Sequence, residues 1–327
     1  MNKIKKLLTA AILLLSSSFI FAASAVFTTD NYNLNISYND IIIAGDAIFV
    51  RLNIVPSKNL KKIKQELEVK AVLQLYQDKK SIETAPFYLI TKKKKDISGD
   101  YLAGVPASLW LEENNYSITI TLDIGTQEAL DFTLPLKYEK REFIHETIDL
   151  NDSNTAIKTD NSPERMAQIE KLNNILFTTM TSDVFSLKSF QTPVNSTRYT
   201  AYCGDRRVYA YSNGKSSTNL HYGNDYGVPE GTEVKACAAG KVVMAENRIS
   251  TGWSIVIEHL PGLYSLYYHL SEMNVKEGDM VKSGDLIGKS GCTGLATGPH
   301  LHWEVRLNGS AVKPEFFTTN FTFEPEN

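Results

Sequence analysis

Between residues 26 and 140 apolar side chains recur at every second position, and that period decides what this part of the chain can become. Tyr32, Leu34, Ile36 and Tyr38 alternate with polar neighbours, and Ile48, Val50, Leu52 and Ile54 do the same after Gly45-Asp46. Leu67, Val69, Ala71, Leu73 and Leu75 follow, and later Ile118, Ile120, Leu122 and Ile124. A period of two places alternate side chains on one face of a strand, so each run has one face to bury. Such strands, separated by Gly, Asp, Asn and Pro turns, predict an antiparallel β-sandwich of immunoglobulin-like type over residues 26 to 140. A four-lysine run, Lys92 to Lys95, is read as a solvated hairpin or loop rather than a contact for acidic polymers.

With 327 residues the chain exceeds what one core usually organises, which predicts two folded units. Its net charge of -3 gives it no large basic field of the kind nucleic-acid binding relies on, so nucleic acid is not an expected partner. Lys3, Lys5 and Lys6 precede an apolar stretch from Leu7 to Phe21, and Ala23-Ser24-Ala25 offers small residues for a peptidase. Residues 1 to 25 are read as an export signal, cut after Ala25 or Ala22, with a retained anchor as the alternative. The apolar stretch is short for a bilayer and no second one follows, so no stable membrane span is expected after signal removal. The three cysteines, Cys203, Cys237 and Cys292, leave at least one thiol unpaired in a monomer.

Residues 141 to 194 read as a polar linker carrying one helix, at about 162 to 178. Ser162 can cap it, Pro163 suits its first position and Glu164 suits the positive end of its dipole. Met166, Ile169, Leu172, Ile175 and Leu176 fall on one face, which predicts docking against one of the two folded units. From about residue 195 the composition turns to glycine, tyrosine and short apolar runs. Val242-Val243, Ile255-Val256-Ile257 and Leu263 to Leu270 read as strands between glycine turns.

All histidines but His145 lie in this last part. His221-Tyr222-Gly223-Asn224-Asp225 has the form H-x-x-x-D, and His300-Leu301-His302 the form H-x-H, followed by Trp303-Glu304. On an extended strand His300, His302 and Glu304 share a face. A catalytic zinc site takes three imidazole or carboxylate ligands and keeps one position open, a count that His221, Asp225 and His302 would fill. A remaining imidazole can serve as base or steady a developing oxyanion. Either motif alone is weak, because paired histidines on strands are often structural; together in a glycine-rich segment they carry much more.

The motifs and their order resemble those of the lysostaphin/LytM-type metallopeptidases. His221 to Asp225 and Pro229-Glu230-Gly231-Thr232 are similar to the family's opening, and Tyr267-Tyr268-His269-Leu270 to its Y-x-H-L strand. Val275 to Gly288 follows its V-x-x-G-D run, and Gly298-Pro299-His300-Leu301-His302-Trp303-Glu304 completes the match. Upstream, Gly204-Asp205-Arg206 is similar to a G-x-R element. The resemblance covers about residues 200 to 317 and leaves the sandwich aside.

That resemblance implies a LytM-type antiparallel β-sheet peptidase domain at 195 to 320, in a chain that is predominantly all-β. It implies one Zn2+ per chain on His221, Asp225 and His302, with His269 and His300 as the catalytic imidazoles. The implied activity is hydrolysis of peptide bonds in peptidoglycan, in the periplasm if the host has an outer membrane and otherwise in the wall or outside the cell. Two other readings are a catalytically silent regulator, whose partners would be other wall hydrolases, and a wall-binding adaptor. A further expectation is latency, with the segment upstream of the domain covering the metal. Glu304 is read either as support for a zinc-bound histidine or as a surface carboxylate. His259 is read as structural, and Cys292 as a small packed residue where the family commonly has a hydroxyl.

Overall fold

The computed structural model describes residues 11–14, 23–58, 60, 67–91, 97–125, 129–178, 183–319 and 323. The alternating runs pair into two sheets whose apolar faces meet. One sheet has the order Ala11–Leu14, Ala23–Thr28, Tyr32–Tyr38, Ala47–Pro56, Gly99–Pro106, Tyr88–Leu89. The other has the order Ile41–Ile43, Leu130–Glu139, Tyr116–Asp123, Lys70–Gln77, Lys80–Pro86, and its first pair is parallel. Two packed, largely antiparallel sheets agree with the sandwich expected from the sequence. Leu34, Ile36 and Leu52 of one sheet and Leu73, Ile118, Ile120 and Leu134 of the other share one core. Each such side chain is worth roughly 1.5–3 kcal/mol when fully buried.

Of the export-signal reading, residues 1–10 and 15–22 lie outside the described residues, as do Lys92 to Lys95. Ala23 and Ala25 are buried within the strand Ala23–Thr28. Cleavage after Ala22 would leave that strand whole, whereas cleavage after Ala25 would remove its first half. Among the described residues no helix is long and apolar enough to cross a membrane.

The polar segment expected to be a linker with one helix holds more structure. His145–Asp149 forms a strand lying parallel to Arg206–Ala210, which in turn pairs with Ser216–Leu220. A short helix, α1 (Asp152–Thr159), follows, capped by the Asn151 side chain, which accepts from the Asn154 amide at 2.8 Å. Its sequence is polar, so no apolar period announced it; the cap and its contacts hold it. The second helix, α2 (Pro163–Leu176), begins at the Ser162 cap as the sequence indicates. Only the later part of its apolar stripe is covered. Leu172, Ile175 and Leu176 pack on Met244, Val256, Tyr264 and Leu266, while Met166 is 51% exposed.

The C-terminal part is a ten-stranded, antiparallel sheet. Its main path runs Tyr199–Ala201, Asn224–Tyr226, Leu301–Leu307, Leu263–Met273, Gly252–Leu260, Gly240–Arg248, Met280–Val281, with three further short strands at its margins. A final short helix, α3 (Glu315–Thr318), closes it. The sandwich and this sheet share side chains. Phe49, on Ala47–Pro56, points away from the sandwich core and lies 4.5 Å from the Phe323 ring and 6.2 Å from that of Phe317. Opposite Phe49 stands Gly104, where any Cβ would collide with the ring. On the other side Arg206 lies 4.2 Å from the ring centroids of both Trp110 and Phe143 and donates to Leu109 O at 2.7 Å.

Candidate metal centre

Asp225 and His302 face each other directly across two antiparallel strands, Asn224–Tyr226 and Leu301–Leu307. His221 enters from the end of Ser216–Leu220, where its Nδ1 lies 3.0 Å from Tyr202 O. A carbonyl only accepts, so Nδ1 carries the hydrogen and Nε2 is left as a lone-pair donor. That Nε2 lies 3.1 Å from Asp225 Oδ1 and 3.0 Å from His302 Nδ1, and His302 Nδ1 lies 2.7 Å from Asp225 Oδ1. The three ligand atoms all lie within 4.8 Å of one another, and all three residues are buried.

The second carboxylate on this strand face is Glu304. Its Oε1 lies 2.9 Å from His302 Nε2, and its Oε2 accepts from Arg306 Nε at 2.6 Å. The outer nitrogen of His302 is thereby held as a donor and the inner one turned toward Asp225. Tyr268 stacks on the His302 ring, with centroids 5.5 Å apart and planes 6° from parallel.

His269 reaches this face through an irregularity. Trp253 pairs with Leu270 and Ile255 with Tyr267, so Tyr268 and His269 together oppose Ser254. This is a β-bulge, and His269 takes φ +60, a left-handed conformation rare outside glycine. Strict alternation would send His269 to the side opposite Tyr268; the extra residue turns it toward the same cleft. Its Nδ1 donates to Thr293 O at 2.7 Å, and that of His300 donates to Gly298 O at 2.8 Å. The two rings lie 4.7 Å apart, and His300 Nε2 is 3.7 Å from Asp225 Oδ1. All five residues singled out from the sequence therefore meet in one cleft of about 520 Å³.

The electrostatics are those of a site built for a cation. Burial alone would raise the Asp225 carboxyl, yet His221 and His302 hold it well below the usual range. Burial likewise disfavours a charged His302 ring, but Asp225 and Glu304, one on each nitrogen, bring it up to about 9. His269 is pushed down to about 3, first by burial and then by His300 and His302, so it is a neutral base at ordinary pH. Two imidazole nitrogens and one carboxylate oxygen suit zinc, whereas calcium and magnesium prefer all-oxygen sets.

Sequence reading missed two members of the cleft. Arg207 Nη2 lies 3.4 Å from Asp225 Oδ2, while its Nε donates to Glu146 Oε1 at 2.6 Å. The G-x-R match stops one residue short of it, at Arg206, which points to the sandwich. Glu146, Ile148, Leu150 and Lys158, all from the segment read as linker, line the cleft. Only the pairing of His145–Asp149 with Arg206–Ala210 brings them there, and no local pattern signals a long-range parallel pair. His145 itself is exposed, Cys292 is exposed, and all three cysteines are free. His259 is buried away from the cleft, its Nδ1 donating to Ala239 O at 2.8 Å.

A buried two-imidazole, one-carboxylate cluster faced by two more imidazoles on an antiparallel sheet defines a metallopeptidase-type domain. Residues 219–314 match the family model "Peptidase family M23", so this part of the chain is an M23 peptidase domain. Over 95 residues it is 44% identical to the DD-carboxypeptidase/endopeptidase Mpg of Neisseria meningitidis, covering 29% of this chain and 22% of that protein. Over 92 residues it is 44% identical to the peptidoglycan DD-endopeptidase ShyA of Vibrio cholerae, covering 28% and 21%. The solved catalytic domain of lysostaphin from Staphylococcus simulans is similar at 32% identity and a TM-score of 0.29, over 41% of this chain and 89% of that one. The matched stretch spans about a fifth of the length of these curated relatives.

Proposed function

We propose that the chain is an exported zinc metalloendopeptidase that hydrolyses peptide bonds in the stem peptides or cross-bridges of peptidoglycan. His221 Nε2, Asp225 Oδ1 and His302 Nδ1 would hold one zinc ion. When bound, zinc supplies Lewis acidity, making water a nucleophile near neutral pH and polarising the scissile carbonyl. His269 and His300 each keep Nδ1 hydrogen-bonded to a backbone carbonyl, so each presents Nε2 to the cleft. One such nitrogen accepts the proton of the attacking water and passes it to the departing amine nitrogen; the other, when protonated from solvent, donates to the oxyanion of the tetrahedral intermediate. Glu304 and Arg207 orient His302 and Asp225. The observation that carries this reading is the convergence of three metal-binding donors and two further imidazoles, each with Nδ1 bonded to a backbone carbonyl, on one cleft. The relatives' names support peptidoglycan as the substrate.

The test is mass spectrometry of cross-linked peptidoglycan incubated with the purified, zinc-loaded protein, with His302→Ala alongside. New peptide termini absent from the control are expected and would identify the bond. An unchanged profile with stoichiometric zinc would favour the silent-regulator reading. Because Glu146 and Lys158 line the cleft, the upstream segment is part of its wall.

A further inference from the structure

Lys158 and Arg207 line the cleft, with Arg165 near enough for its charge to act on Lys158, and only Arg207 is matched by carboxylates there, those of Glu146 and Asp225. Lys158 comes from the last turn of α1, and its ammonium lies 4.3 Å from the centroid of the Tyr209 ring. Arg165, early in α2, donates through Nε to Ser250 Oγ at 2.9 Å and through Nη1 to the Asp160 carbonyl at 2.8 Å. Both acceptors are neutral. Among the described residues neither Lys158 nor Arg165 has a carboxylate within salt-bridge distance. A lysine in a helix's last turn is ordinary, since it faces the negative end of the dipole. This one is not free in solvent: it lines the same cleft as His221, Asp225, His269, His300 and His302, as do Tyr209 and Ser250. Burial lowers its ammonium, and the charges of Arg165 and Arg207 act the same way. A half-buried cation without an anion, in a cleft beside a hydrolytic centre, is a place where an anionic ligand replaces lost hydration.

We infer that Lys158, seated on Tyr209 and backed by Arg165, forms a carboxylate-binding subsite that takes a free carboxylate of the peptide substrate. This rests on the peptidase reading, since wall stem peptides carry free carboxylates close to their amide bonds. Lys158, Arg165 and Tyr209 all precede the matched residues 219–314, so the subsite gives the upstream segment a part in choosing the substrate. Lys158 is a specificity residue: it touches the substrate away from the reacting amide, and so acts on binding.

The experiment compares two synthetic cross-linked stem peptides, one with free carboxylates and one with the same groups amidated, on the zinc-loaded full chain. A charge-assisted hydrogen bond predicts a KM about tenfold lower for the free acid, with similar kcat. Lys158→Met is expected to bring the two KM values together and Lys158→Arg to keep them apart. Equal KM values in the unmodified protein would overturn the subsite, a comparison that needs no variant to fold. So would a Lys158→Met effect of the same size on both peptides. Calorimetric binding of the same peptides separates the two readings. Tighter, Lys158-dependent binding of the free acid without cleavage keeps the subsite and overturns the peptidase. Equal binding of both, or binding of neither, overturns the subsite.

Discussion

Glu304 Oε1 sits 2.9 Å from His302 Nε2, on the side of the ring away from Asp225. A carboxylate at that nitrogen fixes the tautomer and raises the basicity of the nitrogen that faces the metal position. Glu304→Gln keeps the shape and removes the charge. It is expected to weaken zinc binding by about tenfold, the lower end of what such partners contribute. Glu304 is buried, which overturns the surface-carboxylate reading; competition with a fluorescent chelator measures its effect on the metal, and an unchanged dissociation constant would leave it a structural partner of His302 and Arg306 only.

Removing the metal should cost stability, because the cluster of His221, Asp225 and His302 then loses a ligand that only the folded chain can hold. A ligand at a thousandfold excess over its dissociation constant adds about 4 kcal/mol to the folded state. Thermal melts in chelator should fall by several degrees and recover with zinc. Identical melts with and without zinc would argue against the site.

The bulge at His269 separates function from stability. His269→Ala should keep zinc stoichiometric while lowering turnover by about 10²–10⁴, as for loss of a positioned proton acceptor. At φ +60 an alanine remains strained and a glycine does not. His269→Gly is therefore expected to be more stable than His269→Ala by about 1 kcal/mol. A reversed order in urea denaturation would rule out backbone strain there.

His259 gives the fold a signature in acid. Burial lowers its pKa from 6.5 to about 4, while the Ala239 carbonyl opposes this. Above pH 6.5 the ring is neutral whether folded or not and has no effect on stability. As pH falls from 6.5 to about 4 the unfolded chain takes up a proton that the folded one refuses, and stability drops by up to about 3 kcal/mol. Below pH 4 the loss is complete. His259→Gln should flatten this slope when urea midpoints of the metal-free protein are compared at pH 7, 5.5 and 4. Parallel slopes for variant and parent would exclude His259 as the cause.

Phe49→Ala should cost about 3–5 kcal/mol, as for a buried aromatic ring left as a cavity. It should also split a single thermal transition into two, one for the sandwich and one for the metal-binding sheet. A single transition at a lower temperature would show that Asn308, which donates to Gly104 O at 2.9 Å, and the Arg206 contacts suffice for coupling.

Period-two alternation revealed Ile48, Val50, Leu52 and Ile54 because one face of their strand meets the sandwich core. The same rule would send Phe49 to solvent. It is buried because a second structure covers the other face, a fact no window along the chain contains. The site divides likewise: His300 and His302 sit two apart, a spacing that translates directly into a shared face, whereas His221 precedes the strand Asn224–Tyr226 and its spacing from Asp225 fixes no face. His269 could be named only by resemblance, since its aim comes from a bulge that alternation does not describe. Arg207, Glu146 and Lys158 were hidden because a parallel pair between segments some sixty residues apart assembles them. The apolar run from Leu7 to Phe21 was legible as composition, and composition carries no register.

The aromatic cluster around Phe49 bears on ancestry as well as on stability. A domain joined to its neighbour by a tether alone can be exchanged like a cassette, each half keeping its own interior. Here Phe49 sits in the neighbour's interior, and Gly104 stays bare to let it pass. A descendant that swapped its sandwich would inherit a hole at Phe317 and Phe323, so the two halves must change together or not at all.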